Sequence, residues 1–163
     1  MKNSYLLLLP LFLLPPAVAS GTEKADTVLV VKSAYKLYLR KNGRSFKEFD
    51  VRFGGNPKGH KLREGDERTP EGKYVLDFKN ENSAFYKSIR ISYPNEADRQ
   101  RAAQLKVDPG GAIMIHGLKN GEERYAWLYK RYDWTEGCIA VTNREMDEIW
   151  QAVEVGTPIE IRP

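Results

Sequence analysis

The 163-residue sequence has one cysteine, two histidines and three methionines, with no block of like charge and no internal repeat. A single thiol excludes an internal disulfide framework. Two histidines leave few candidates for a base or a metal ligand. The longest apolar run is about ten residues, near the N-terminus, well short of the ~20 that a spanning helix needs. Net charge is only +4, which gives a mild bias toward anionic partners and none of the concentrated basic patch of a nucleic-acid binder. With 41% hydrophobic and 29% charged residues, the chain lies far from the disordered class. Fibrous, channel-forming and histone-like readings fall away, and one ordinary globular domain remains.

The N-terminus has a short charged start at Lys2, an apolar run from Tyr5 to Leu14, then Pro15-Pro16 and Ala17-Val18-Ala19. That order is the pattern of a secretory signal peptide cut after Ala19. No cysteine lies near the cut, so a lipid-modified N-terminus is not expected. Residues 1–19 are therefore expected as signal peptide, 20–26 as a short polar linker and 27–163 as the folded domain. After cleavage no membrane span is expected. A domain of that size buries roughly 68–70% of its unfolded surface and needs no disulfides. Export sharpens the question posed by Cys138. In an oxidising compartment an idle exposed thiol is a liability, so Cys138 is either buried as a small apolar residue or kept for its reactivity.

β-branched and aromatic runs predict strands at Thr27–Lys32, Ala34–Arg40, Phe46–Phe53, Gly72–Phe78, Phe85–Tyr93 and Ala112–His116. Lys41-Asn42-Gly43 predicts a hairpin turn. Thr157–Arg162 is expected as a closing edge strand. Short helices are expected over Ala97–Leu105 and Glu122–Arg131, and a third follows the capping-box spacing Thr142-x-x-Glu145. The loop from Gly54 to Pro70, dense in Gly, Pro and charge, has the length of a functional connection. The fold class is mostly β (α+β) with a few short helices.

His116-Gly117 ends one predicted strand, and Thr135-Glu136-Gly137-Cys138 precedes a helix. Thiol chemistry needs a base to take the sulfur proton, a group to hold that base and amide donors for an oxyanion. His116 and Cys138 supply the first pair, and Gly137 allows close backbone approach. Each residue has a plain alternative: a satisfied core histidine, or a buried cysteine. A metal site from His60, His116 and Cys138 lacks the short ligand spacings of zinc sites. The Gly54–Gly59 segment fails as a phosphate loop, because His60 stands where lysine is required.

His116-Gly117, then Asp133 to Asn143 containing Thr135-Glu136-Gly137-Cys138-Ile139, resembles the L,D-transpeptidase (YkuD-type) catalytic domain, in a divergent YafK/ErfK-like branch. Gly65-Asp66 through Thr69-Pro70 to Gly72 is similar to that family's upstream segment. The resemblance implies a β-sandwich or barrel, a periplasmic location and peptidoglycan stem peptides as substrate, with no cofactor or metal. It implies Cys138 as nucleophile, His116 as general base and Gly137 with the Cys138 amide as oxyanion hole. Thr135 would shape the turn and the Gly117 carbonyl would orient the imidazole. The family's usual histidine before the glycine is Glu136 here, and its usual arginine two residues after the cysteine is Ala140. Arg124, Lys130 or Arg131 is expected to restore the missing positive charge, Tyr132 and Trp134 to wall the peptide groove, and His60 to line the same cleft. Transfer to an amine, including one on a protein or amino-acid acceptor, is one outcome. Hydrolysis that releases a protein or amino acid from peptidoglycan is another, and a non-catalytic cell-wall binding domain is a third.

Overall fold

Alternation sets the first strands. In β1 (Thr27–Val31) Val28 and Val30 are fully buried while their neighbours are half-exposed, and β2 (Lys36–Lys41) buries Leu37 and Leu39 in the same rhythm. Asn42 and Gly43, at φ 50° and 77°, form the two-residue turn into β3 (Arg44–Asp50). Both positive values suit the turn type whose twist matches that of the flanking strands. The computed structural model describes residues 22–163, so the segment 1–19 expected as a signal peptide lies outside the described residues. Of the polar stretch, residues 22–26 lie along the end of α3 (Asn143–Ala152): the Ala25 amide donates to the Ala152 carbonyl at 2.9 Å, and Lys24 Nζ donates to that of Gln151 at 2.8 Å.

The remaining strands are β4 (Gly72–Ser83), β5 (Tyr86–Ile91), β6 (Met114–His116), β7 (Ile139–Ala140) and β8 (Thr157–Arg162). They complete one eight-stranded sheet in the order β3-β2-β1-β8-β4-β5-β6-β7. The last strand is therefore central, not the edge strand expected from its sequence. It runs parallel to β1 from Val28↔Ile159 and antiparallel to β4 from Leu76↔Thr157. Pro158 is tolerated because it precedes the first β1 partner, so its missing N–H breaks no bond of the parallel ladder. The sheet curls until its ends meet: Arg52, just past β3, exchanges backbone hydrogen bonds of 3.0 and 2.8 Å with Ala140 of β7. The result is a mostly β domain built on one curled sheet.

Three short helices complete the described residues. In α1 (Glu96–Leu105) Asn95 and Asp98 form a capping box. In α3 the Thr142 hydroxyl and the Glu145 carboxylate cap each other's backbone amides, and Met146, Ile149 and Ala152 face the core. Burying Met146 and Ile149 contributes roughly 1.5–3 kcal/mol each. The helix expected over Glu122–Arg131 shrinks to a 3-10 turn (Glu123–Tyr125) and one α-turn, α2 (Ala126–Tyr129). Neither piece buries a residue, so nothing offsets the cost of extending so short a helix.

Candidate active site

β6 and β7 run parallel with Ile115↔Ile139 and His116↔Ala140 in register. Ile115 and Ile139 are fully buried in the core. Because side chains alternate, His116 and Cys138 face the opposite side together. Strands ~4.8 Å apart and a two-residue offset of ~6.6 Å put the two Cβ atoms on a diagonal of about 8 Å, a gap that an imidazole and a thiol reach across. Both line one open cleft of about 680 Å³, with Phe85, Ser88, Tyr129 and Trp134 on its walls.

The His116 ring is held on three sides. Its Nδ1 lies 2.7 Å from the Gly117 carbonyl, so Nδ1–H donates and Nε2 is left as an acceptor. Phe85 stacks tilted at 4.7 Å, and Trp134 meets the ring edge-on at 5.6 Å. Burial pushes the His116 pKa below its ordinary value, and the Gly117 bond opposes this in part. Gly117 has to be glycine, since a Cβ there would sit 2.6 Å from Asn143 Oδ1, which accepts from the Leu118 amide at 2.8 Å.

Burial pushes the half-buried Cys138 thiol up, as does the Glu136 carboxylate, while a Met114 backbone bond and the Lys61 charge pull it down. The Sγ lies 3.5 Å from the Ala112 carbonyl. Both shifts favour the neutral forms near neutral pH, thiol at Cys138 and imidazole at His116.

The turn before the cysteine is clamped. The Thr135 hydroxyl donates to the Cys138 carbonyl at 2.8 Å and accepts the Gly137 amide at 3.2 Å. That engagement removes the Gly137 amide from the expected oxyanion pair. The Cys138 amide, by contrast, makes no backbone hydrogen bond among the described residues. Gly137 sits at φ 121°, where a Cβ would meet the Arg68 carbonyl oxygen at 2.5 Å.

Several side chains beyond the expected site residues support this turn. Thr69, fully buried, donates to the Gly137 carbonyl at 2.9 Å. Beneath it the buried Lys32 ammonium donates to the carbonyls of Gly59 (2.6 Å) and Thr69 (3.1 Å) and to Glu71 (2.8 Å). Asp133 accepts from the Phe53 amide and the Tyr35 hydroxyl, each at 2.9 Å, and so anchors the start of the cysteine turn. Thr69 and Asp133 lay inside segments quoted for the family resemblance, whereas Phe85 and Lys32 had no local mark.

His60 does not line the cleft. Its Nδ1 accepts from the Glu71 amide at 2.9 Å and its Nε2 lies 3.0 Å from Asp98 and 2.7 Å from the Arg101 guanidinium, in a half-buried cluster against α1. The Gly54–Pro70 loop turns it that way. Arg124, Arg131 and Tyr132 also stand outside the cleft walls, and Lys130 pairs with Glu145 at 2.8 Å. These residues flank the one-turn helix α2 and are exposed. Trp134 alone of the expected groove residues is in the wall. Lys119 is the one lysine or arginine on the cleft, opposed by Glu122 at 3.6 Å. Among the described residues no group of three or more His, Cys, Asp or Glu side chains is placed to hold a metal ion. No described helix is long and apolar enough to cross a membrane.

The sequence pattern of the YkuD L,D-transpeptidase catalytic domain matches residues 25–161. The YafK protein of Escherichia coli strain K12 is 35% identical over 99 residues, covering 58% of this chain but 32% of its own length. The chain thus spans about a third of the curated relatives it matches. Among solved structures, the helical cell shape determining protein Pgp2 of Campylobacter jejuni aligns at TM-score 0.63 and 29% identity, covering 83% of this chain and 46% of that one. L,D-transpeptidase 1 of Mycobacterium tuberculosis shares the fold at TM-score 0.52 and 15% identity, over 84% of this chain and 60% of that one. The chain belongs to the YkuD family of L,D-transpeptidase catalytic domains.

Proposed function

We propose that this chain is a periplasmic cysteine acyltransferase acting on peptidoglycan stem peptides in cell-wall remodelling. The observation that carries the reading is the placement of Cys138 and His116 on one face of adjacent strands, opening on one cleft, with the imidazole Nε2 free to accept. The cleft volume suits a short peptide. A relative that determines helical cell shape supports a role at the wall.

In the first half-reaction, Cys138 Sγ attacks the carbonyl between the L-centre of the diamino acid and D-alanine, and its proton passes to His116 Nε2. The negative oxygen meets the Cys138 amide, held in place by the Thr135 and Thr69 bonds around it. Collapse breaks the C–N bond, and the imidazolium returns its proton to the departing D-alanine amine. A thioester remains. An acceptor amine then attacks it and gives its proton to His116, and the leaving sulfur takes that proton back. Water in place of the amine gives hydrolysis on the same machinery.

Intact-mass spectrometry of the protein with a purified tetrapeptide muropeptide tests this. An adduct equal to the acyl tripeptide fragment, absent in Cys138→Ala, is the expected result. No adduct under conditions that label the thiol with iodoacetamide overturns it. The released products then separate transfer to an amine, including a protein or amino-acid acceptor, from cleavage.

A further inference from the structure

Among the described residues, half of the exposed large hydrophobic side chains fall in one stretch: Tyr125, Trp127, Leu128 and Tyr132. The others are scattered singly, which is ordinary for a surface. The cluster is not. Trp127 is 61% exposed and Tyr132 45%, and α2 buries none of its residues, so these rings contribute nothing to the core. An apolar patch kept at the surface marks a contact site.

The patch is continuous with the cleft. Trp134, in the cleft wall, lies 4.7 Å from the Tyr129 ring, and Tyr129 lies 6.3 Å from that of Tyr132. Arg131, next to Tyr132, lies 5.5 Å over the Trp127 ring, and Arg124 lies 4.7 Å over Tyr125. Neither arginine pairs with a carboxylate among the described residues. Flat rings flanked by unpaired guanidinium donors suit a sugar chain. The C–H face of a pyranose packs on the ring, and the fork of donors meets hydroxyl, acetamido and carboxylate oxygens.

We propose that the 123–132 segment is a docking surface for the glycan strand that carries the donor stem peptide. The inference rests on the stem-peptide reading above. Length supports it: three extended residues from the strand to the attacked carbonyl reach about 10 Å, and the ring steps from Trp134 out to Tyr132 are 4.7 and 6.3 Å. A strand lying beside Tyr132 therefore starts its peptide within that reach of the cleft wall at Tyr129, 6.3 Å away.

Fluorescence anisotropy with dye-labelled, peptide-free glycan strands is the test, run beside flotation with phosphatidylethanolamine/phosphatidylglycerol vesicles. The unaltered chain is expected to bind strands. Trp127→Ala and Tyr132→Ala are expected to weaken that binding about tenfold, while free tetrapeptide acylates Cys138 in both variants as in the parent. No strand binding, variants that bind as tightly as the parent, or flotation with vesicles in place of strand binding overturns the proposal. Failure of the parent to form the acyl adduct removes the catalytic reading alone, because strand binding is measured without a peptide.

Discussion

Thr69 donates its hydroxyl to the Gly137 carbonyl at 2.9 Å, joining a loop that ends at β4 to the turn that presents Cys138. Lys32 sits under the same loop, with its ammonium on the Thr69 carbonyl. Three segments distant in sequence thus fix one sulfur. A side chain that only positions the turn leaves the chemistry intact but mis-aimed, and small misplacements are costly in rate.

Thr69→Val keeps the shape and removes the donor. The buried Gly137 carbonyl loses its partner, at a cost of about 1–3 kcal/mol. Single-turnover acylation by a tetrapeptide is expected to slow about tenfold or more, and Thr69→Ser is expected to restore most of it. An equal rate in Thr69→Val, with the melting temperature lowered, would make the bond purely structural.

Lys32→Met strips the donor from two carbonyls and leaves Glu71 facing no cation. Breaking a buried pair from one side costs about 3–5 kcal/mol, and the lower end fits here because Glu71 keeps 19% of its side chain in solvent. Urea unfolding is expected to show that loss with an unchanged slope. Lys32→Arg is not expected to rescue it, because the longer planar group does not match the three-point geometry.

Glu136 raises the Cys138 thiol pKa through its charge, so Glu136→Gln is expected to lower it. Iodoacetamide alkylation at constant pH near 8 should then run faster in the variant. Glu136 is exposed, and the difference should shrink as salt is added. An alkylation rate that ignores both the substitution and the salt would remove Glu136 from the electrostatics of the thiol.

Local chemistry made much of this site legible. His116 ended an apolar strand and Cys138 followed a glycine turn, and parallel pairing of β6 with β7 set them side by side. The capping residues of α3 and the Asn42-Gly43 turn were equally plain, since each depends on neighbours a few residues apart. Distant pairing was hidden. Thr157–Arg162 has the alternation of an edge strand and contains a proline, yet it pairs with β1, more than a hundred residues earlier, and becomes central. Lys32 reads as a polar strand end until the Gly54–Pro70 loop folds over it. His60 was drawn to Asp98 on α1, a partner that spacing along the chain does not reveal. The basic residues from Arg124 to Arg131 were expected in the cleft because of the charge lost at Glu136 and Ala140, but they flank a one-turn surface helix and are exposed.

The buried imidazole also sets an acid limit on stability. Burial lowers the His116 pKa in the folded chain below the ordinary value of about 6.5. Below pH 6.5 the unfolded chain therefore binds a proton that the folded chain refuses, so stability falls with pH until the folded value is reached. Asp66 acts in a separate, lower window. Burial would raise its pKa, but the Leu62, Arg68 and Arg63 amides and the Lys61 ammonium hold it at about 2, so its contribution is lost only between about pH 4 and 2. Urea midpoints measured from about pH 8 to about pH 2 are expected to show two descents in the parent chain. His116→Gln should abolish the upper one and keep the lower one. The acylation rate should retain its full value to a pH below 6.5, because the neutral base persists there. A parent chain equally stable at pH 7 and pH 5 would mean that this imidazole titrates as freely as one in water, and the neutral resting pair assigned to His116 and Cys138 would have to be abandoned.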